Sequence, residues 1–339
     1  MRRLYLAVAL LKITYGIDTW YEPPHKAPSA TKNAGSVGML RALQKIQRVA
    51  TLAITGTLRT TLTDLLDAHT GLLSMELALS KVCHRAAVRI LTLPNTHPLH
   101  GIASTARCRP PRKHLAPLDH TLATLKIGNT AIKTITPITD NLPQQPHFKV
   151  EIPTTRELSI EKEDQDPADY KVFSDGSCLD EGIGTVAVIY RRGISQPIGH
   201  LKAYLGPSTM HNTYEAEVVG GILATWLIQI TPGTDLKTVS LYIDNQSTIQ
   251  ASTNPKATSG QHLVLAFIQA ADNTKAKLMI RWISSHSNIK GNEHADKLAK
   301  EAAEEKTSPH EQLPPMLGKA LLASASVIKQ EHLVHLKCK

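Results

Sequence analysis

Residues 170–178 read Tyr-Lys-Val-Phe-Ser-Asp-Gly-Ser-Cys, and this stretch, with the order of elements after it, decides the fold. The run 170–174 is aromatic and β-branched and reads as a strand, stopped by the turn dipeptide Asp175-Gly176. Two further strands are predicted over 184–190 and 198–205, joined by a hairpin turn at Arg191-Arg192-Gly193. A helix over 215–230 ends at Pro232-Gly233. Beyond it the pattern gives a strand over 239–243, a helix starting at Asp244, a helix over 261–271, a strand over 277–283 and a helix over 292–305. Three meandering strands followed by alternating helices and strands imply an α/β fold, with a mixed sheet and helices packed on it.

Four acidic residues hold suggestive places in that order. Asp175 and Asp244 end the first and fourth strands, Glu217 lies in the first turns of the first helix, and Asp296 lies in the last helix. Each has an ordinary explanation alone. Asp175-Gly176 is a turn pair, Asp244 caps a helix, Glu217 complements a helix dipole, and Asp296 pairs with Lys300 at i+4. Together, carboxylates from strand ends and packed helices can converge on one point, where their repulsion calls for cations. An all-oxygen donor set suits Mg²⁺ or Mn²⁺, and two such ions about 3.5–4 Å apart can drive phosphodiester hydrolysis.

The segments SDGSC (174–178), YEAE (214–217), LYIDNQS (241–247) and Trp282 followed by SSHSNIKGNEHADKLAKEA (284–302) make residues 168–306 resemble a type-1 ribonuclease H domain. The resemblance implies a five-stranded mixed sheet flanked by helices. It also implies an endonuclease, a hydrolase that cuts the RNA strand of RNA–DNA hybrids with two Mg²⁺ ions, Mn²⁺ being an alternative. Carried over by position, the metal-binding and catalytic quartet is Asp175, Glu217, Asp244 and Asp296, with Glu215 competing for the second place. His286 matches the family's loop histidine, implied to move protons or help product leave. Gln246 matches a contact to the hybrid's minor groove, and Ser177, Asn212 and Asn292 are further substrate-binding candidates. Asn292 precedes Asp296 by four residues and shares its side of the helix, while Ala295, Leu298, Ala299 and Ala302 form the opposing core stripe. The segment 251–261 is short and holds Lys256 as its one basic residue, so the basic handle that some family members use to grip a hybrid is missing.

The first half reads differently. Leu40, Leu43, Ile46, Val49, Ala50 and Ala53 recur at helical spacing, and a second amphipathic stretch spans 72–91, so 38–92 is expected to be helical. The segments TYGIDTW (14–20), LQKIQR (43–48), ITGTLRTT (54–61) and RILTLPNTHPL (89–99) make residues 1–105 similar to the region after the polymerase palm of non-LTR retrotransposon reverse transcriptases. That resemblance implies the C-terminal portion of a retroelement polyprotein. Polymerase chemistry needs paired aspartates at a strand turn, and none occurs in 1–150. Residues 106–167, rich in Pro and Thr and ending in Glu161-Lys162-Glu163-Asp164, are expected to be a linker. Residues 307–339 are expected to form an exposed amphipathic tail, with a helix over 317–336. Glu331, His332, His335 and Cys338 are poorly ordered for a zinc site.

Composition bounds these readings. The 339 residues allow about two domains, and 42% hydrophobic content supports packed cores. No run approaches the roughly 18 apolar residues of a membrane span. Met1-Arg2-Arg3 and the apolar run 4–11 have the outline of a signal peptide, but Lys12 interrupts it and no small-residue cleavage site succeeds it. The four cysteines form no CxxC pair, so a reducing, intracellular setting is expected, nuclear or cytoplasmic alike. Residues 1–150 carry 19 Lys and Arg against 7 Asp and Glu, whereas 151–339 carry 19 against 22. A basic half beside one that concentrates carboxylates points to a nucleic-acid partner. The sequence leaves two other readings open. One is a catalytically weak or inactive retroelement remnant that binds nucleic acid. The other is an integrase or a Holliday-junction resolvase of the same architecture, against which DGS (175–177) and NEHAD (292–296) weigh.

Overall fold

The computed structural model describes residues 1–26, 31–101, 119, 122, 132–138, 146–285 and 287–338. They fall into two units, one formed by Met1–Thr134 with Ile328–Lys339 and the other by Ile135–Val327. The basic cluster Arg107, Arg109, Arg112 and Lys113 lies outside the described residues.

The first unit is helical where apolar spacing is helical. Its main helices are α1 (Val37–Thr55), α2 (Thr63–Thr70) and α3 (Met75–Leu91). Gly56 and Gly71 close the first two in left-handed conformation, and the Ser74 hydroxyl caps the third by accepting from the Leu77 amide. Leu40 and Leu43 of α1 meet Met75, Leu79 and Cys83 of α3 around Ile17 and Tyr21. Buried Gln47 is satisfied by donating to Asp67 Oδ1 and to the Leu73 carbonyl, both at 2.9 Å.

The second unit is built on one mixed sheet. Its elements are β1 (Lys149–Glu151), α4 (Arg156–Asp164), β2 (Tyr170–Leu179), β3 (Gly182–Arg191), β4 (Pro197–Pro207), α5 (Thr213–Ile230), β5 (Thr238–Ile243), α6 (Gln246–Thr253), α7 (Gln261–Asp272), β6 (Lys277–Trp282) and α8 (Lys290–Ala303). The strand order is β1-β6-β5-β2-β3-β4. The pairs β1–β6, β5–β6 and β2–β5 are parallel, and β2–β3 and β3–β4 are antiparallel. Alternation along the strands separates two cores. Val172, Ala187 and Ile189 pack with Val218, Ile222 and Phe267 of α5 and α7. Phe173, Val186 and Val188 pack with Ala295, Leu298 and Ala299 of α8. The stripe read as core on α8 is core, and the α/β architecture with helices on a mixed sheet is the one the sequence implies.

The five strands expected over 168–306 are all present, and Lys149–Glu151 adds a sixth in parallel to β6, with the Glu151 carboxylate 2.7 Å from Arg281 Nη1. Two expectations need correction. The charged run expected in the linker is helix α4, capped by the Thr155 hydroxyl accepting from the Leu158 amide and tied through Lys171 to Glu163. Residues 307–339 are not an exposed tail. Leu313, Met316, Leu317 and Leu321 pack on the core of the second unit. The last helix, α9 (Ala325–Lys337), buries Val327 and Leu336, and its His332 ring stacks on His84 at 3.9 Å within the first unit.

Candidate metal centre

The site begins at Gly176. A Cβ there would lie 2.6 Å from the Glu217 amide nitrogen and 2.7 Å from Ala216 Cβ, so no side chain fits. Its absence lets the first turns of α5 rest directly on β2. Asp175-Gly176 is therefore no turn. The strand runs on to Leu179, because antiparallel pairing with β3 continues while parallel pairing with β5 ends at Ser174–Ile243. Asp175 comes directly after Ser174 and Asp244 directly after Ile243, so the two aspartates stand side by side where β2 and β5 part.

Asp175, Glu217 and Asp244 each bring a carboxylate oxygen within 4.8 Å of the others. Asp175 and Glu217 are buried. Glu217 Oε2 is buried and has no hydrogen-bond partner, while Asp175 Oδ1 accepts from the Gly176 amide at 2.8 Å. Burial raises the Asp175 carboxyl to about 7, aided by the charges of Asp244 and Asp296. Burial, then Asp244 and Asp175, raises Glu217 well above the usual carboxylate range. Three ionised carboxylates at this spacing repel by on the order of 3 kcal/mol per pair at an effective dielectric of about 20. An unsatisfied buried oxygen within an all-oxygen, mutually repelling set fits a hard divalent cation. This acidic triad is a candidate metal-binding site.

Among the described residues, the others predicted for the site lie outside the triad. Asp296 is outside the 4.8 Å triad and pairs with Lys300 Nζ at 2.6 Å, although its charge acts on Asp175. Glu215, the competitor of Glu217, is instead engaged by His211 Nδ1 at 3.2 Å in a pair with side chains 3% exposed. Asp244 does not cap α6. Asn245 does so, accepting from the Ser247 and Thr248 amides, while the Trp282 indole donates to the Asp244 carbonyl at 2.9 Å. Gln246 opens α6 and Ser177 lies on β2 two residues beyond Asp175, both half-buried. Asn212 caps α5, accepting from the Glu215 amide at 2.9 Å and donating to Ser326 Oγ at 3.2 Å. Asn292 is buried in the first turn of α8. His286 lies outside the described residues. Sequence reasoning missed His211, whose signal was its i,i+4 spacing to Glu215 at a helix start.

Comparison with known proteins bears on this unit. The RNase H family model matches residues 167–304. Among solved structures, the N-terminal RNase H domain of a Mycobacterium tuberculosis protein, fused to maltose-binding protein, is 16% identical. It covers 41% of this chain and 95% of its own, with a TM-score of 0.33. RNase H1 from the halophilic archaeon Halobacterium salinarum is 17% identical over 40% of this chain and 98% of its own, with a TM-score of 0.33. LC11-RNase H1 in complex with an RNA/DNA hybrid is 17% identical over 40% of this chain and 97% of its own, with a TM-score of 0.34. No curated protein matches the sequence. Residues 167–304 are an RNase H-like domain.

Proposed function

We propose that this RNase H-like domain hydrolyses the RNA strand of RNA–DNA hybrids endonucleolytically, with Mg²⁺, or alternatively Mn²⁺, held by Asp175, Glu217 and Asp244. The observation that carries the reading is the triad itself, three carboxylates within 4.8 Å with a buried, unsatisfied Glu217 oxygen among them. Asp175, Glu217 and Asp244 would hold two such cations, whose Lewis acidity would serve to activate water and to stabilise the leaving oxygen.

The chain's own part is to hold and to orient. Asp175 and Asp244 are fixed by adjacent strands, and Glu217 by a helix pressed onto Gly176, so the ligand oxygens are set before a substrate arrives. Asp296 is the fourth ligand, contributed from α8 on exchanging its Lys300 partner for a cation. His286 moves a proton at the leaving or entering oxygen. Ser177 and Gln246 contact the hybrid, and Asn212 and Asn292 are further substrate-binding residues, although the first is engaged as a helix cap and the second is buried. Strand choice rests on 2′-hydroxyl contacts and helix shape, because the minor groove displays those groups. Among the described residues, no helix is long and apolar enough to cross a membrane.

We read residues 1–105 as derived from a reverse transcriptase of a non-LTR retrotransposon, a reading supported by the quoted segments and by the helical first unit. A hybrid labelled on its RNA strand tests the activity. Wild-type protein with Mg²⁺ should release fragments ending in a 5′-phosphate and a 3′-hydroxyl, while Asp175→Asn and Asp244→Asn should not. Hybrid binding without cleavage by the wild type would favour the remnant that binds nucleic acid without cutting it.

A further inference from the structure

We propose that residues 308–326 form a strap that fixes the N-terminus of α5 and so positions Glu217, with Asn212 and Ser326 as the positioning residues. This rests on the metal-centre reading above, and it extends the functional unit beyond the residues that match the RNase H family, which end at 304.

The strap is held along its whole length. At its start the Ser308 amide donates to the Lys202 carbonyl and Ser308 Oγ accepts from the Lys202 amide, both at 2.9 Å, on β4. In its middle the Trp226 indole of α5 donates to the Gln312 carbonyl at 2.8 Å. Leu313, Met316, Leu317 and Leu321 then pack against the core that α5 itself fills. At its end the Ser324 amide donates to the Met210 carbonyl at 2.8 Å, just before the α5 cap.

Three serines close the device. Ser259 and Ser324 hydroxyls lie 3.0 Å apart, Ser324 and Ser326 hydroxyls 2.9 Å apart, and the Ser326 amide donates to Ser259 Oγ at 3.3 Å. Ser326 Oγ then accepts from Asn212 Nδ2, whose own Oδ1 caps the helix at the Glu215 amide. The side-chain amide of Asn212 is thereby held at both ends. The turn leading into α5 is gripped from the strap side, while Gly176 supports the helix from the sheet side. Glu217 sits two residues beyond the capped amide, and its Oε2 gains nothing from the protein to hold it in place. The Gly176 amide meets the Glu217 carboxyl, but the backbone that carries it is set by the helix start, which is what the strap secures.

The test uses the full chain carrying Ser326→Ala, alone and with Ser324→Ala, with Ser326→Thr as the conservative control. Amide exchange at 213–217 and Mn²⁺ affinity by calorimetry are both read. Both Ala variants should exchange faster there and bind Mn²⁺ about three- to tenfold more weakly, the scale of one lost hydrogen bond acting at one remove from a ligand. Ser326→Thr should restore both. Unchanged exchange and affinity in the Ala variants would overturn the strap, as would a Thr variant that behaves like Ala. A wild type that binds no Mn²⁺ would instead defeat the metal-centre reading, and exchange at 213–217 would still decide the strap.

Discussion

Asp175 and Glu217 are buried beside each other and beside Asp244, so their charge is a liability in the metal-free protein. The Asp175 carboxyl stands at about 7 against an ordinary 3.8, so the folded protein holds its proton more tightly than the unfolded chain does. The proton's contribution is fully present below about pH 4 and is lost as the pH rises through about 7. Metal-free protein should therefore lose stability between pH 4 and 7, as measured by thermal melts in chelator, and Asp175→Asn should flatten that slope. At pH 8 the same substitution should stabilise the metal-free protein by on the order of 1–3 kcal/mol by relieving repulsion. Added Mg²⁺ should raise the melting temperature of the wild type and leave that of the variant nearly unchanged. In cleavage assays Asp175→Asn and Glu217→Gln should each lose at least about a hundredfold, since even an outer partner of a metal ligand contributes about 10–100-fold.

At the level of elements, the close approach of α5 to β2 is the feature the site depends on. Gly176→Ala would drive a methyl group into the Glu217 amide, and overpacking of this kind costs about 1–3 kcal/mol. Chemical denaturation should show that loss, and Mn²⁺ affinity should fall with it because Glu217 is the group displaced. Much of this unit was legible in the sequence, since the strands and helices that bury one face show their period of 2 or 3.6 residues. Asp175-Gly176 was misread because the glycine serves a helix some forty residues away rather than a turn, and no local signal distinguishes the two. The three residues Lys149–Glu151 are too few to show a period, and their place in the sheet is supplied by β6. Helix α4 was hidden by its charge, since Glu161 to Asp164 read as a solvated linker while Thr155 quietly supplied the cap. For the site, the triad could be read from strand ends and a helix start. The resemblance already favoured Glu217 over Glu215, and the folded helix start adds a contact that the sequence does not display, His211 engaging Glu215 while Glu217 stands in the triad.

Across the molecule, acidic and basic side chains are divided along the chain. The first 150 residues carry the excess of Lys and Arg, and Arg41 and Lys45 stand exposed one turn apart on α1, a helix with no acidic residue. Each phosphate contact removed from a nucleic-acid complex lowers the salt slope of binding by about one. Binding of the hybrid to a full-length Asp175→Asn protein, tracked by fluorescence anisotropy across salt concentrations, should lose about two units of slope on adding Arg41→Gln and Lys45→Gln. The most direct measurement of the central claim remains cleavage itself, with purified full-length protein, an RNA–DNA hybrid labelled on the RNA strand, and Mg²⁺ or chelator. Cutting of the RNA strand should require Mg²⁺ and vanish in Asp244→Asn. An intact RNA strand with wild-type protein and Mg²⁺, or equal cutting by Asp244→Asn, would contradict it.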